Sequence, residues 1–545
     1  GSARLTCQFR CQCQRGQLPT DHSCLSTHSV FNTCQLISVM EDFTNRNYGA
    51  RATCAQVFAA LALNSLNVNV GMIICMPVLI IGALRTTKSP LSFSEEEASW
   101  FGGLVFMIQP LGSVVSGFLQ DHLGRKRCMM LVNIPQFVAW LMLYYATSKF
   151  TLFAAVTLLG LSIGFMEAPV LSYIGEVSEP RLRGVLSTIG GIFFNLGLTL
   201  ESVIGATTDW RTMVLITSAA PVTAFLALSL VPDSPAWLVT KGRVKDAQKA
   251  YQWLRGWVSQ DVIQEELDTL MDYVKQSRNV RIVSSAEYRA VQTKNVEDAT
   301  MAYNAHPESK LKIFLHPSVQ RPMRIIVVYF LVAACASLCG MRPFFIEVLK
   351  GMGVPLDPHL VIVAGSILTT VGALTSTLTM RRAGKRGLTF VSLALSFCCC
   401  YGLAIYLALG LNISWIPLAL FSVSFFAAPL GIICVPWILI SELFPLKGRG
   451  VAGGVAAALG YMIMFIIIKT FYNLVSLVQL SGACFLYGSV GLLGFVFFYF
   501  RLPETEGVPL HLIERIFADK NENLGVTQVE TIKKEDYDMG KVKPV

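Results

Sequence analysis

The sequence predicts an all-α membrane protein of twelve transmembrane helices in two parallel six-helix halves, and three observations carry that prediction. Only 14% of the 545 residues are charged against 53% hydrophobic, whereas an average soluble domain is about 25% charged. Apolar runs near twenty residues recur along the chain, each long enough to cross roughly 30 Å of hydrocarbon at about 1.5 Å per residue. Three short polar motifs occur twice, in the same order, at matching places after those runs.

In chain order the runs place spans at 54–83, 98–120, 128–148, 150–173, 184–206 and 211–231, then at 322–349, 358–380, 387–409, 414–441, 449–472 and 481–501. The stretch between the two sets is rich in Lys, Arg, Glu and Asp and cannot sit in lipid. The chain therefore divides into an N-terminal tail (1–51), a first half (52–232), a middle segment (233–320), a second half (321–502) and a C-terminal tail (503–545). Within the middle segment Val244, Ala247, Ala250, Tyr251 and Leu254, then Ile263, Leu267, Leu270 and Met271, fall at helical spacing. They predict amphipathic helices over 242–255 and 261–275, which either brace the halves or serve as solvated linkers.

The net charge of +9 suggests orientation rather than nucleic-acid binding, because the cations fall in short connections and form no aromatic-interleaved face. Arg125, Lys126 and Arg127, Arg181 and Arg183, the whole middle segment, Arg381 to Arg386, and Lys447 with Arg449 all follow even-numbered spans. Glu95, Glu96 and Glu97 occupy the first connection after an odd-numbered one. The positive-inside bias then puts both termini and the middle segment in the cytoplasm.

The repeat is specific. Asp121, Gly124, Arg125 and Lys126 after the second span return as Arg381, Gly384, Lys385 and Arg386 after the eighth; Glu176, Pro180, Arg183 and Gly184 return as Glu442, Pro445, Arg449 and Gly450; Pro232, Asp233 and Ser234 return as Pro503, Glu504 and Thr505. The paired positions lie 260, 266 and 271 residues apart, so one six-span unit appears twice in one orientation. Parallel halves of this kind enclose a central path and rock about it.

These motifs resemble those of the major facilitator superfamily. Gly117, Asp121, Gly124, Arg125 and Lys126 look like its cytoplasmic loop signature, and Tyr173 to Gly184, Pro232 to Leu238, Glu442 to Gly450 and Pro503 to Thr505 resemble the sugar-porter set. Gly242 to Gly256 and Lys469 to Phe471 are most similar to insect facilitated trehalose transporters, and the likeness covers roughly residues 52–515. The resemblance implies a facilitative carrier of sugars, hexose or trehalose-like, working by alternating access in the plasma membrane. Its alternatives are a carrier of a non-sugar or anionic solute and a non-transporting sensor. Carboxylates and guanidinium groups at the cytoplasmic span ends would pair when the halves meet there: Asp121, Arg125, Glu176 and Arg183 with Lys385, Arg386, Glu442 and Arg449.

The positions where the resemblance places polar sugar ligands are depleted. The seventh-span motif reads Ala336-Ser337-Leu338-Cys339-Gly340-Met341-Arg342; the fifth-span position holds Gly191, the eighth Thr369, the eleventh Gly460 and Met464, and the fourth-span cation position Val156. The tenth-span aromatic persists as Trp437 after Pro436, and Tyr461 lies beside the eleventh-span position. The expected path residues are thus Gly191, Ser337, Gly340, Arg342, Thr369, Trp437 and Tyr461. Arg342 would either face the solute or pair with Glu347, Glu167 or Glu201. No carboxylate occupies the first-span position where proton-coupled relatives carry one, which favours facilitated diffusion.

Many of the fifteen cysteines lie within apolar runs, as at Cys398 to Cys400, and behave there as small hydrophobes. Cys7, Cys11, Cys13, Cys24 and Cys34 in the N-terminal tail are followed by no compact ligand set with His, so no metal site is expected. No signal peptide is read ahead of the first span. No nucleotide loop or activated nucleophile is found, so neither enzyme chemistry nor a cofactor is expected. The expected partners are a small-molecule solute and the lipid bilayer, with no nucleic acid; the sequence leaves the oligomeric state open.

Overall fold

The computed structural model describes residues 49–86, 89–272, 274, 317–411, 413, 415–444, 449–506 and 517. Across them run Ala50–Thr86, Glu95–Leu123, Arg125–Tyr144, Lys149–Val177, Pro180–Thr207 and Trp210–Ser229, the six spans of the first half. Pro317–Ala336, Pro358–Ala408, Trp415–Leu430 with Val435–Leu443, Arg449–Lys469 and Phe471–Arg501 make the second. Pro358–Ala408 is too long for one crossing, and it bends at Gly384 (φ 72°, ψ 160°) into the eighth and ninth spans. That division gives twelve spans. Phe471–Arg501 is likewise interrupted at Gln479 (φ 60°), so its last part coincides with the expected 481–501.

Two spans depart from the continuous helices expected. The seventh stops at Ala336, passes through a turn with Leu338 in the left-handed region (φ 54°) and resumes as the short helices Arg342–Phe344 and Phe345–Gly351. The tenth breaks between Leu430 and Val435. There the Ser392 hydroxyl donates to the Ala427 carbonyl (2.6 Å) and accepts from the Ile432 N–H (3.1 Å), replacing ladder bonds that lipid cannot supply.

Large side chains such as Leu111, Val114, Leu378, Leu493 and Phe500 point outward and exposed, as a lipid-facing surface requires. Glycine sets the closest helix contacts. A Cβ on Gly164 would stand 1.9 Å from the Gln109 carbonyl oxygen, so the fourth span touches the second backbone to backbone.

Three of the apolar clusters define the relation between the halves. One joins first-half residues Ile80, Phe101 and Met213 to second-half residues Phe344, Ile346 and Phe471. The other two do not cross between the halves: one gathers Leu63, Met129 and Tyr173 of the first, the other Tyr329, Val435 and Phe498 of the second. The shared cluster lies towards the end opposite the repeated motifs. The separate clusters lie towards the motif end.

Beyond the sixth span, Pro235–Thr240, Val244–Leu254 and residues 260–272 are helical, as the amphipathic spacing predicts. Their apolar faces pack together through Trp237, Leu238, Ala247, Tyr251, Ile263 and Leu267. They also hold the first half. Arg255 donates to the Val177 carbonyl (3.5 Å), and Gln56 of the first span donates to Glu179 (2.7 Å) and to the Leu254 carbonyl (3.5 Å). Burial opposes the charge of Arg255, but hydrogen bonds and attraction from Glu266 outweigh it and raise the group above its ordinary value. The cysteine-rich part of the N-terminal tail, most of the rest of the middle segment and most of the C-terminal tail lie outside the described residues.

Candidate functional site

At the motif end the two halves repeat one construction. Gly124 (φ 95°, ψ 159°) and Gly384 (φ 72°, ψ 160°) turn the chain between consecutive spans, in a left-handed conformation that L side chains rarely adopt. The cation after each glycine meets an acid: Arg125 with Glu176 at 3.0 Å and Lys385 with Glu442 at 2.7 Å. The acid of the third motif then receives backbone N–H groups, Asp233 from Lys126 (3.4 Å) and Glu504 from Lys385 (3.1 Å) and Arg386 (3.0 Å). Pro232 and Pro503 precede these two acids, and the Pro232 carbonyl accepts the Tyr173 hydroxyl at 2.9 Å. Burial pushes the Asp233 carboxyl above the ordinary carboxylate range, against those N–H bonds and the nearby Arg127 and Lys126 charges.

Local additions differ between the halves. Asp121 pairs with Arg125 at 3.5 Å, the Trp237 indole donates to the Asp121 carbonyl, and Ser234 bonds Glu176. In the second half Glu506 also reaches Lys385, at 2.9 Å, on the side where the position of Asp121 is taken by Arg381. Every one of these pairs stays within one half. The side chains of Arg183 and Arg449 lie outside the described residues; with Gly184 and Gly450 their backbones open the fifth and eleventh spans.

Among the described residues the polar contacts between the halves lie elsewhere. At the opposite end Arg85 of the first span donates to Glu347 (2.6 Å), whose other oxygen accepts from Tyr472 (2.8 Å). Lys469 donates to Ser99 (2.9 Å) over the Trp100 ring. Nearer the middle, Thr199 bonds Thr370 (3.0 Å) and Ser202 bonds Ser366 (2.7 Å). Tyr461 bonds Glu167. The Arg85, Glu347 and Tyr472 group escaped the sequence reading, which weighed Glu347 only for Arg342; the signal was a cation closing the first span.

The expected path residues do not form one pocket. Ser337 and Arg342 line a narrow cavity with Leu338, Met341, Phe345, Phe421, Ser424 and Phe425, between the seventh and tenth spans. The Arg342 Nε is buried without a hydrogen-bond partner. The pairing expected with Glu347, Glu167 or Glu201 is not formed, because those acids bond Arg85, Tyr461 and Thr217 instead. Trp437 and Tyr461 lie together, ring centroids 5.2 Å apart, with Phe330 behind the indole at 4.9 Å. Gly191 is exposed, with open space where a Cβ would stand. Two positions serve packing: Thr369 is buried and donates to the Ser366 carbonyl (2.7 Å), and Gly340 is pressed against Tyr487 and Ile467. Among the described residues no cluster of His, Cys, Asp or Glu could hold a metal ion.

Twelve spans in two parallel halves, joined at one end around a polar seam, define a multi-pass integral membrane transporter of the major facilitator fold. A family model described as Sugar (and other) transporter matches residues 57–517, and the chain belongs to that family. It is 27% identical over 465 residues to the facilitated trehalose transporter Tret1 of Bombyx mori, covering 84% of this chain and 86% of the relative. It is 26% identical over 468 residues to Tret1 of Drosophila virilis, covering 84% of this chain but 48% of that longer relative. In fold it is similar to the proton:xylose symporter XylE bound to 6-bromo-6-deoxy-D-glucose (TM-score 0.63, 16% identity, 85% of this chain and 99% of the other). XylE from E. coli in an inward-open conformation gives the same values. The family's members are transporters, so this chain carries out no catalytic chemistry.

Proposed function

We propose that the protein is a facilitative carrier of sugars, hexose or trehalose-like, that exposes its central seam alternately to the two sides of the plasma membrane. The observation that carries this reading is the asymmetry of contacts between the halves: a shared core and polar bridges towards one end, separate cores and intra-half ion pairs at the other. With the cationic motif end and both termini in the cytoplasm, as the charge bias favours, the conformation is open inward. The loop motifs then serve each half as a rigid turn, and the bridges expected between the halves form there only when the motif ends close.

The test is flux. Reconstituted protein should take up labelled trehalose or glucose down a gradient, with saturation and counterflow; binding without flux would instead identify a sensor. A carrier of anionic solutes is the second reading, favoured by the unpartnered Arg342 Nε. An ionised side chain at the centre of a span costs about 2.5–3.5 kcal/mol on insertion scales. Under that reading Arg342→Gln lowers uptake of an organic anion at least tenfold and spares sugar uptake. Equal loss of both would show that Arg342 supports the fold alone.

A further inference from the structure

The positions where the resemblance places sugar ligands are stripped of amides, yet the first half offers an acceptor that nothing assigns. Glu167 of the fourth span is a half-buried carboxylate that makes no ion pair among the described residues. Its Oε1 receives Gln109 Nε2 of the second span at 2.8 Å and the Tyr461 hydroxyl of the eleventh. Gln109 is 4% exposed, and its own Oε1 is buried without a partner. The Trp437 ring lies against Tyr461 with the planes 34° apart. A carboxylate in a membrane interior is costly without a counter-charge and marks a solute or ion pathway by default.

We infer that Glu167 is the main hydroxyl acceptor for a neutral polyhydroxylated solute, with Gln109 taking a neighbouring hydroxyl and Trp437 supporting the sugar face. The chemistry fits each partner. An O–H to carboxylate bond is short and roughly twice as strong as a neutral one. The free Gln109 oxygen is an acceptor awaiting a donor, and an indole ring provides an apolar platform. In the conformation seen here the Tyr461 hydroxyl occupies the place of a solute hydroxyl on Oε1. Because Tyr461 belongs to the second half and Glu167 to the first, a solute that displaces it also releases a bond between the halves. Binding and rearrangement are then coupled at one oxygen atom.

The inference rests on the sugar-carrier reading, and the experiment separates the two. Wild-type protein in liposomes is assayed with glucose, trehalose and each mono-deoxyglucose, beside Glu167→Gln and Tyr461→Phe. Wild type that neither binds nor moves any sugar overturns the carrier reading and the inference with it. Where wild type transports, Glu167→Gln raises KM at least tenfold. It also abolishes the penalty for removing one particular hydroxyl, an interaction that a merely structural role would not produce. Tyr461→Phe lowers KM at least threefold, since it removes the internal competitor, and this arm decides the matter where the Glu167 variant fails to fold. An unchanged KM and deoxy-sugar profile in Glu167→Gln, or a raised KM in Tyr461→Phe, overturns the assignment and leaves transport standing.

Discussion

Replacing Glu347 with Ala opens the end opposite the loop motifs, raising the labelling rate of a thiol introduced by Ser99→Cys at least tenfold. Glu347 is the hub of the polar bridge there: one oxygen binds Arg85 of the first half, the other Tyr472 of the second. Its removal leaves Arg85 with longer contacts, to exposed Glu95 at 3.6 Å, the Phe93 carbonyl at 3.5 Å and the face of the Tyr472 ring. A hydrogen bond to a charged group contributes about 1.5–3 kcal/mol. The Arg85 and Glu347 side chains are 22% and 23% exposed, so solvent screening holds the effect to the lower part of that range. A shift of about 1.4 kcal/mol between two conformations is tenfold in their ratio. Ser99 is 2% exposed beneath Lys469, so a membrane-impermeant thiol reagent reaches the introduced thiol only when the halves part. Exchanging the pair as Arg85→Glu with Glu347→Arg should restore slow labelling. Fast labelling in the exchanged protein would assign the effect to local packing rather than to the ion pair.

Gly164→Ala should destabilise the first half. The added methyl would stand 1.9 Å from the Gln109 carbonyl oxygen and 2.8 Å from the Ser113 nitrogen, both backbone atoms that cannot turn away. The fourth span must therefore move off the second. Overpacking of this kind costs about 1–3 kcal/mol, read as a fall in melting temperature of roughly 4–8 °C for about 2 kcal/mol in a bundle of this size. Glu167 lies one turn beyond Gly164, so the same shift lengthens its bond to Gln109 and weakens sugar binding in parallel. Gly191→Ala is the matched control, since nothing lies within 4 Å of the place its methyl would take, and its melting temperature should stay within about 2 °C, as for surface substitutions. Equal behaviour of the two variants would contradict the close contact between the spans.

The fold was largely legible because lipid imposes simple rules. Length and hydropathy placed the spans within a few residues, and the repeats at Gly124 and Gly384 revealed the two halves. Breaks were harder to read. Nothing in Ala336 to Arg342 announces the left-handed Leu338, and only Pro436 hinted at the interrupted tenth span. The site was legible in part. Family-like positions led to Trp437, Tyr461 and Ser337, but they also led to Thr369 and Gly340, which packing consumes. Glu167, Glu201 and Glu347 stood out as acids in apolar runs, yet their partners depend on which helices meet. Sequence spacing does not encode that meeting, so Arg342 drew acids that the fold gives to Tyr461, Thr217 and Arg85.

Distances between spin labels at both ends test the carrier account most directly. One pair sits at the motif end, on His122 and Arg382, and the other at the opposite end, on Thr207 and Ser476, all exposed positions on different halves. A saturating transported sugar should shorten the first distance while lengthening the second, as rocking about a central seam requires. If the protein moves sugar while both distances stay fixed or change in the same sense, the two halves do not alternate.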